Sequence, residues 1–159
     1  MKTSIPFLLF LLIFLGCKDE TNSPSGPEEN KATGYFRSYV NGSNWEASEI
    51  YASREGTVIN LSARKSNSEI QIQIINVNQP GTYSIGENEP GFTYFIKAKY
   101  IDKTQGDNKT YSAYSRNYSI FDIKNISEGF LDADFVFIAY DSSFTDSVKV
   151  SNGSININY

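Results

Sequence analysis

Phe130-Leu131-Asp132-Ala133-Asp134-Phe135-Val136-Phe137-Ile138-Ala139-Tyr140 decides the fold class. Leu131, Ala133, Phe135, Phe137 and Ala139 form one face of an extended chain, and Asp132 and Asp134 lie on the other. Side chains alternate across a strand with period 2, so this is the pattern of a strand with one buried face.

The same alternation recurs on either side of it. In Glu69–Val77, Ile70, Ile72 and Ile74 oppose Gln71 and Gln73. In Thr57–Lys65, Ile59, Leu61 and Ala63 oppose Asn60, Ser62 and Arg64. In Phe92–Asp102, Tyr94, Ile96 and Ala98 oppose Lys97 and Lys99, and near the end Ile155 and Ile157 oppose Asn156 and Asn158. No long segment has helical period. Asn41-Gly42 and Asn152-Gly153 read as hairpin turns, because both residue types accept the positive φ of a type I′ turn. Pro80-Gly81 and Pro90-Gly91 mark turns of another kind, and Gly106-Asp107-Asn108 marks a polar loop tip. About ten short strands result, at the spacing of a sandwich or barrel. Such amphipathic strands need a second layer over their apolar faces. The expected fold is therefore an all-β antiparallel β-sandwich, with a closed or partly open β-barrel as the alternative. Trp45, the single tryptophan, is expected in the core.

Upstream of the strands, Ile5–Leu15 is an unbroken run of apolar residues and proline, preceded by Lys2 and followed by Gly16-Cys17. It is too short to cross ~30 Å of hydrocarbon, which takes ~20 helical residues, so residues 1–16 read as a secretory signal peptide. Gly16-Cys17 resembles the lipobox of bacterial lipoproteins, in which the signal is cut before the cysteine and the cysteine is acylated. Phe14 stands where that motif usually has leucine. The resemblance implies lipidation of Cys17, with a diacyl lipid on its sulfur and a further acyl chain such as palmitate on its new amine, and attachment to the membrane through it. Acyl chains add ~0.8 kcal/mol per buried CH₂, and two lipid signals suffice for stable anchoring. Lys18-Asp19-Glu20 resembles the surface-export signal of Bacteroidetes-type lipoproteins. It implies an outer-membrane protein displayed at the cell surface, with a periplasm-facing orientation as the alternative.

Residues 18–33 hold one alanine and no larger apolar side chain, so residues 17–33 read as a lipidated cysteine and a disordered tether. Such a segment reaches about 22 Å. The remaining residues, 34–159, have the size of one domain.

Without residues 1–16 the chain carries 13 basic and 18 acidic residues, a formal charge of −5. That balance argues against nucleic acid as a partner. The sequence has no histidine, and Cys17 is its one cysteine. Histidine general-base catalysis, thiol nucleophiles, Cys/His zinc sites and internal disulfides are therefore excluded.

Val40-Asn41-Gly42-Ser43-Asn44-Trp45-Glu46-Ala47 follows the aromatic pair Tyr35-Phe36. Pro80-Gly81-Thr82-Tyr83-Ser84-Ile85-Gly86 comes later, and Val150-Ser151-Asn152-Gly153-Ser154-Ile155 lies near the end. Together these resemble a family of small Bacteroidetes-type lipoproteins with a single β-rich domain of unknown function. The resemblance implies an extracytoplasmic β-domain and supplies no catalytic residues.

Several groups remain as candidate chemistry. Asp132 and Asp134 share a strand face with Cβ atoms ~7 Å apart, near the reach of a glycosidase carboxylate pair, but strand carboxylates are ordinarily solvated. Calcium at these residues or at Asp102…Asp107-Asn108 would need about six to eight oxygens, and no matching ligand spacing is present. Tyr94, Tyr100, Tyr111, Tyr114 and Tyr118 are candidates for a ligand-binding aromatic surface, since tyrosine offers flat contact area and a hydroxyl. Asp146-Ser147-Val148 resembles a bacterial O-glycosylation signal, with Ser147 as the acceptor. The expectation is a non-catalytic binding or accessory module for a glycan or an envelope protein, without catalytic residues, metal or cofactor. A structural envelope component, or a carrier of an apolar ligand in a barrel cavity, is the alternative.

Overall fold

A computed structural model describes residues 30–86, 95–104, 106–114 and 118–159. The described residues form twelve strands and no helix: β1 (Asn30–Lys31), β2 (Thr33–Val40), β3 (Ser43–Glu46), β4 (Glu49–Glu55), β5 (Val58–Lys65), β6 (Ser68–Ile75), β7 (Gly81–Ser84), β8 (Phe95–Asp102), β9 (Lys109–Ala113), β10 (Ile120–Ser127), β11 (Phe130–Tyr140) and β12 (Ser147–Asn158). All their ladders are antiparallel, in the order β1-β4-β5-β6-β8-β9-β11-β12-β2-β3, with β10 beside β11 and β7 beside β10.

The all-β antiparallel expectation holds, and the sheet is open, which excludes the closed barrel. The strands belong to one sheet. Its two halves join where the end of β11 meets β9, through Ala139↔Ala113 and Tyr140↔Ser112. Both halves contribute to one buried core: Ile59, Leu61, Ile70, Ile72 and Ile96 from one, and Phe36, Phe121, Leu131, Phe137 and Ile155 from the other. Cross-links tie the halves at their edges. Trp45 Nε1 on β3 donates to Ser68 Oγ on β6 at 2.8 Å, and Arg54 Nη1 on β4 donates to the Ser127 carbonyl on β10 at 3.2 Å. Trp45 is 4% exposed and meets Phe36 edge-on at 5.9 Å, so it fills the core as expected.

Two boundaries differ from the sequence reading. The strands begin earlier than expected: Asn30 and Lys31, read as tether, pair with Ala52 and Tyr51, and Ala32 is buried. Asn152-Gly153 is not a hairpin turn, because β12 runs straight through it. It makes a bulge, marked by register shifts of β12 against both β11 and β2. The cause is the ring of Phe135, which would lie 2.4 Å from a Cβ at position 153. Asn41-Gly42 does form the tight turn, with φ of 48° and 81°. Pro90-Gly91 lies outside the described residues.

Candidate functional site

The outward face of β4, β5, β6 and β8 carries the most ordered set of polar side chains. These strands pair without a register shift, so their outward residues align in rows across the sheet. One row reads Ser53–Asn60–Gln73–Lys97, the next Tyr51–Ser62–Gln71–Lys99, and a third begins Glu49–Arg64–Glu69. Ser53 and Ser62 are short and buried, while Tyr51 stands on one side and Lys97 and Lys99 on the other. The face is therefore hollowed into a depression of about 650 Å³.

Hydrogen bonds fix its side chains. Gln73 Nε2 donates to Asn60 Oδ1 at 2.8 Å, and Gln71 Nε2 to Glu69 Oε1 at 2.8 Å. Each amide oxygen thus remains as an acceptor for a ligand. Glu69 lies in the adjoining row, outside the lining of the depression, and is 3% exposed. Its carboxylate accepts from Ser62 Oγ at 2.7 Å, is ion-paired with Lys103, and lies 3.7 Å from Arg64 Nε. Burial works to raise its pKa. The hydrogen bonds from Lys103, Gln71 and Ser62, with the Lys103 charge, outweigh burial and bring it to about 2. The Arg64 guanidinium in turn lies over the Tyr51 ring at 4.5 Å.

The tyrosines chosen from the sequence do not form one surface. Tyr100 and Tyr111 lie on the core-facing side of β8 and β9, with rings 6.1 Å apart. Tyr111 is 5% exposed, and its hydroxyl donates to Asp146 Oδ2 at 2.9 Å. Burial raises the pKa of both phenols. Tyr118 projects outward at 91% exposure, while Tyr94 lies outside the described residues. Tyr114 meets Phe144, which the sequence reading missed. Phe144 is 60% exposed, held at φ 57°, and packs on Tyr114 at 4.9 Å and Tyr140 at 5.9 Å. The Asp141 carboxylate shapes this hairpin by accepting from the backbone N–H groups of Thr145 and Asp146.

Of the acidic candidates, Asp134 and Asp102 are engaged elsewhere. Asp134 is ion-paired with Lys124. Asp102 accepts from the Thr104 N–H and hydroxyl, which holds its pKa below the usual carboxylate range. The loop at Gly106, Asp107 and Asn108 borders a second depression of about 930 Å³, where Asp146 is paired with Lys109 at 2.6 Å. No group of three or more His, Cys, Asp or Glu residues among the described residues is arranged to hold a metal ion. Ser147 opens β12 and is exposed, with its N–H donating to Asp146 Oδ1 at 2.8 Å. Cys17 lies outside the described residues.

Sequence reasoning named Asn60, Ser62, Gln71, Gln73, Lys97 and Lys99 as outer sides of strands and assigned them no role, and it passed over Tyr51 and Ser53. The signal was the composition of the face, Ser, Asn and Gln in the middle where solvated faces more often carry charges. Which of these become neighbours depends on register, which the sequence leaves open.

No curated protein and no solved structure matches the chain. A family model described as a domain of unknown function (DUF6252) matches residues 32–157, which spans β2 through nearly all of β12. The chain belongs to this DUF6252 family.

Proposed function

We propose that the chain is a lipid-anchored cell-envelope protein whose domain is a non-catalytic binding module for a glycan. One observation carries the glycan reading: the hollow outer face of β4, β5, β6 and β8, with its fixed amides. Sugars are recognised by in-plane hydrogen bonds from amides, hydroxyls and charged groups, and such sites gain from side chains ordered before binding. Asn60, Gln71 and Gln73 are held by hydrogen bonds to neighbours before any ligand arrives. The anchor reading rests on Ile5–Leu15 and Gly16-Cys17, and cell-surface display on Lys18-Asp19-Glu20.

A glycan array probed with the full chain in detergent tests the module. Binding is expected and should fall about tenfold or more in Gln71→Ala/Gln73→Ala, since each amide hydrogen bond contributes roughly 1 kcal/mol. Absence of binding to any glycan removes this reading. The anchor is tested separately: Cys17→Ser should move the protein from the membrane fraction to the soluble one. An unchanged distribution would refute lipidation at Cys17. Intact-mass comparison with Ser147→Ala tests that exposed serine as an O-glycosylation site.

A second reading, protein contact within the envelope, is favoured by Phe144. An aromatic residue at positive φ stores backbone strain, which tends to mark a functional position. Cross-linking in intact cells should give a defined adduct that Phe144→Ser abolishes, and persistence of the adduct in that variant removes this role.

A further inference from the structure

We infer that the ligand of the hollow face is an acidic glycan, whose carboxylate or sulfate groups are held by Lys97 and Lys99. This rests on the glycan reading above and narrows it. The first ground is charge. The chain has 18 acidic residues against 14 basic ones, yet no Asp or Glu lines the depression, and both charged residues that do line it are lysines. The two acids of the adjoining row are both paired with cations, Glu69 with Lys103 and Arg64, and Glu49, which accepts from the Tyr51 hydroxyl, with Lys31. They therefore do not offset the two lysines.

The second ground is placement. Lys97 and Lys99 point to the same side of β8 and are both exposed, about 6.7 Å apart along the strand. Each is in register with an amide, Lys97 with Gln73 and Lys99 with Gln71. Among the described residues no carboxylate is ion-paired with either lysine. Each row thus offers an ammonium donor for an anionic group and, beside it, an amide oxygen for a sugar hydroxyl. A neutral glycan would use the amides and leave the Lys99 ammonium, and that of Lys97 with only the Phe95 ring 5.2 Å away, without an anionic partner.

The test uses the full chain in detergent and isothermal titration. The probes are an oligogalacturonate and its carboxyl-reduced counterpart, and a dextran sulfate oligosaccharide beside unmodified dextran. At least one acidic probe is expected to bind about tenfold or more tightly than its neutral partner. The preference should shrink at about 0.5 M salt, where screening is short-ranged, and in Lys97→Gln/Lys99→Gln. Which acidic probe prevails tells carboxylate from sulfate. Thermal unfolding of the double variant, expected to match the parent, separates lost binding from lost folding.

Equal binding of acidic and neutral probes would overturn the acidic preference and leave the glycan reading standing. Acidic binding that survives the double lysine variant would place the site elsewhere and overturn the proposal. Failure of all four probes would overturn the acidic preference, and only the array, if also blank, would remove the glycan reading.

Discussion

The β4–β5–β6–β8 half and the β2–β12–β11–β10 half follow the same alternation but fill their inner faces differently. The first presents aliphatic side chains, Ile59, Leu61, Ile70, Ile72, Ile74 and Ile96, to the core. The second presents rings: Phe36, Phe121, Phe135 and Phe137, with centroids 5.2 to 6.1 Å apart. The aliphatic ladders run without a register shift, whereas each of the three aromatic ladders carries one. Branched aliphatic residues fit a regular pleat. A phenyl ring needs more depth than the pleat gives, and at Gly153 the strand bulges to make it. Outward side chains inherit the difference. They stay in rows on the aliphatic half, where the candidate site lies, while the aromatic half carries local pairs such as Lys124–Asp134 and Thr82–Asp122.

The contrast can be broken most directly at its buried rings. Phe137→Ala should cost about 3–5 kcal/mol in urea unfolding, against about 0.5–1.5 for Ile72→Val in the aliphatic half. Equal, small losses would mean that the ring stack does not organise its half.

Next in size is the ion cluster at the end of the aliphatic half. The Glu69 pKa falls from an ordinary 4.5 to about 2 on folding. The folded state therefore holds the carboxylate charged more readily than the unfolded state does. The resulting stability, on the order of 3 kcal/mol, is fully present above pH 4.5 and is lost as pH falls toward 2. Stability measured across that window should slope less in Glu69→Gln than in the parent. An identical slope would assign the acid sensitivity to other carboxylates.

Gly153→Ala should cost about 1–3 kcal/mol through the clash with Phe135, and Phe135→Leu should relieve part of it. Additive losses in the double variant would show that the two positions do not conflict. The smallest effect is at the seam between the halves. Trp45→Phe removes the hydrogen bond to Ser68 and should cost about 1 kcal/mol, read from the shift in the urea midpoint.

Much of the fold could be read from short-range pattern. Phe130–Tyr140 is a strand with the bounds its alternation gives, and Ile70, Ile72, Ile74, Ile155 and Ile157 are buried as their period requires. The misreadings occurred where a local signal competed with a distant partner. Asn152-Gly153 looks like a turn, but the glycine answers to Phe135, eighteen residues back on the next strand. Asn30–Lys31 has the composition of a tether, but β4 offers it an unpaired edge. Tyr111 looks like surface, yet it faces inward beside Ala113.

The sequence by itself determined the strand character, the sidedness of each strand, and the lack of histidine and of any cysteine but Cys17, which bounds the chemistry. Those properties follow from period 2 and composition, which need only the chain's own neighbours. The tertiary structure alone decided that the layers are halves of one open sheet and that Asn60, Gln71, Gln73, Lys97 and Lys99 share one hollow. Pairing order and register set both. A slip of one residue would turn each of those side chains into the core, and only the mutual packing of the apolar faces prevents it.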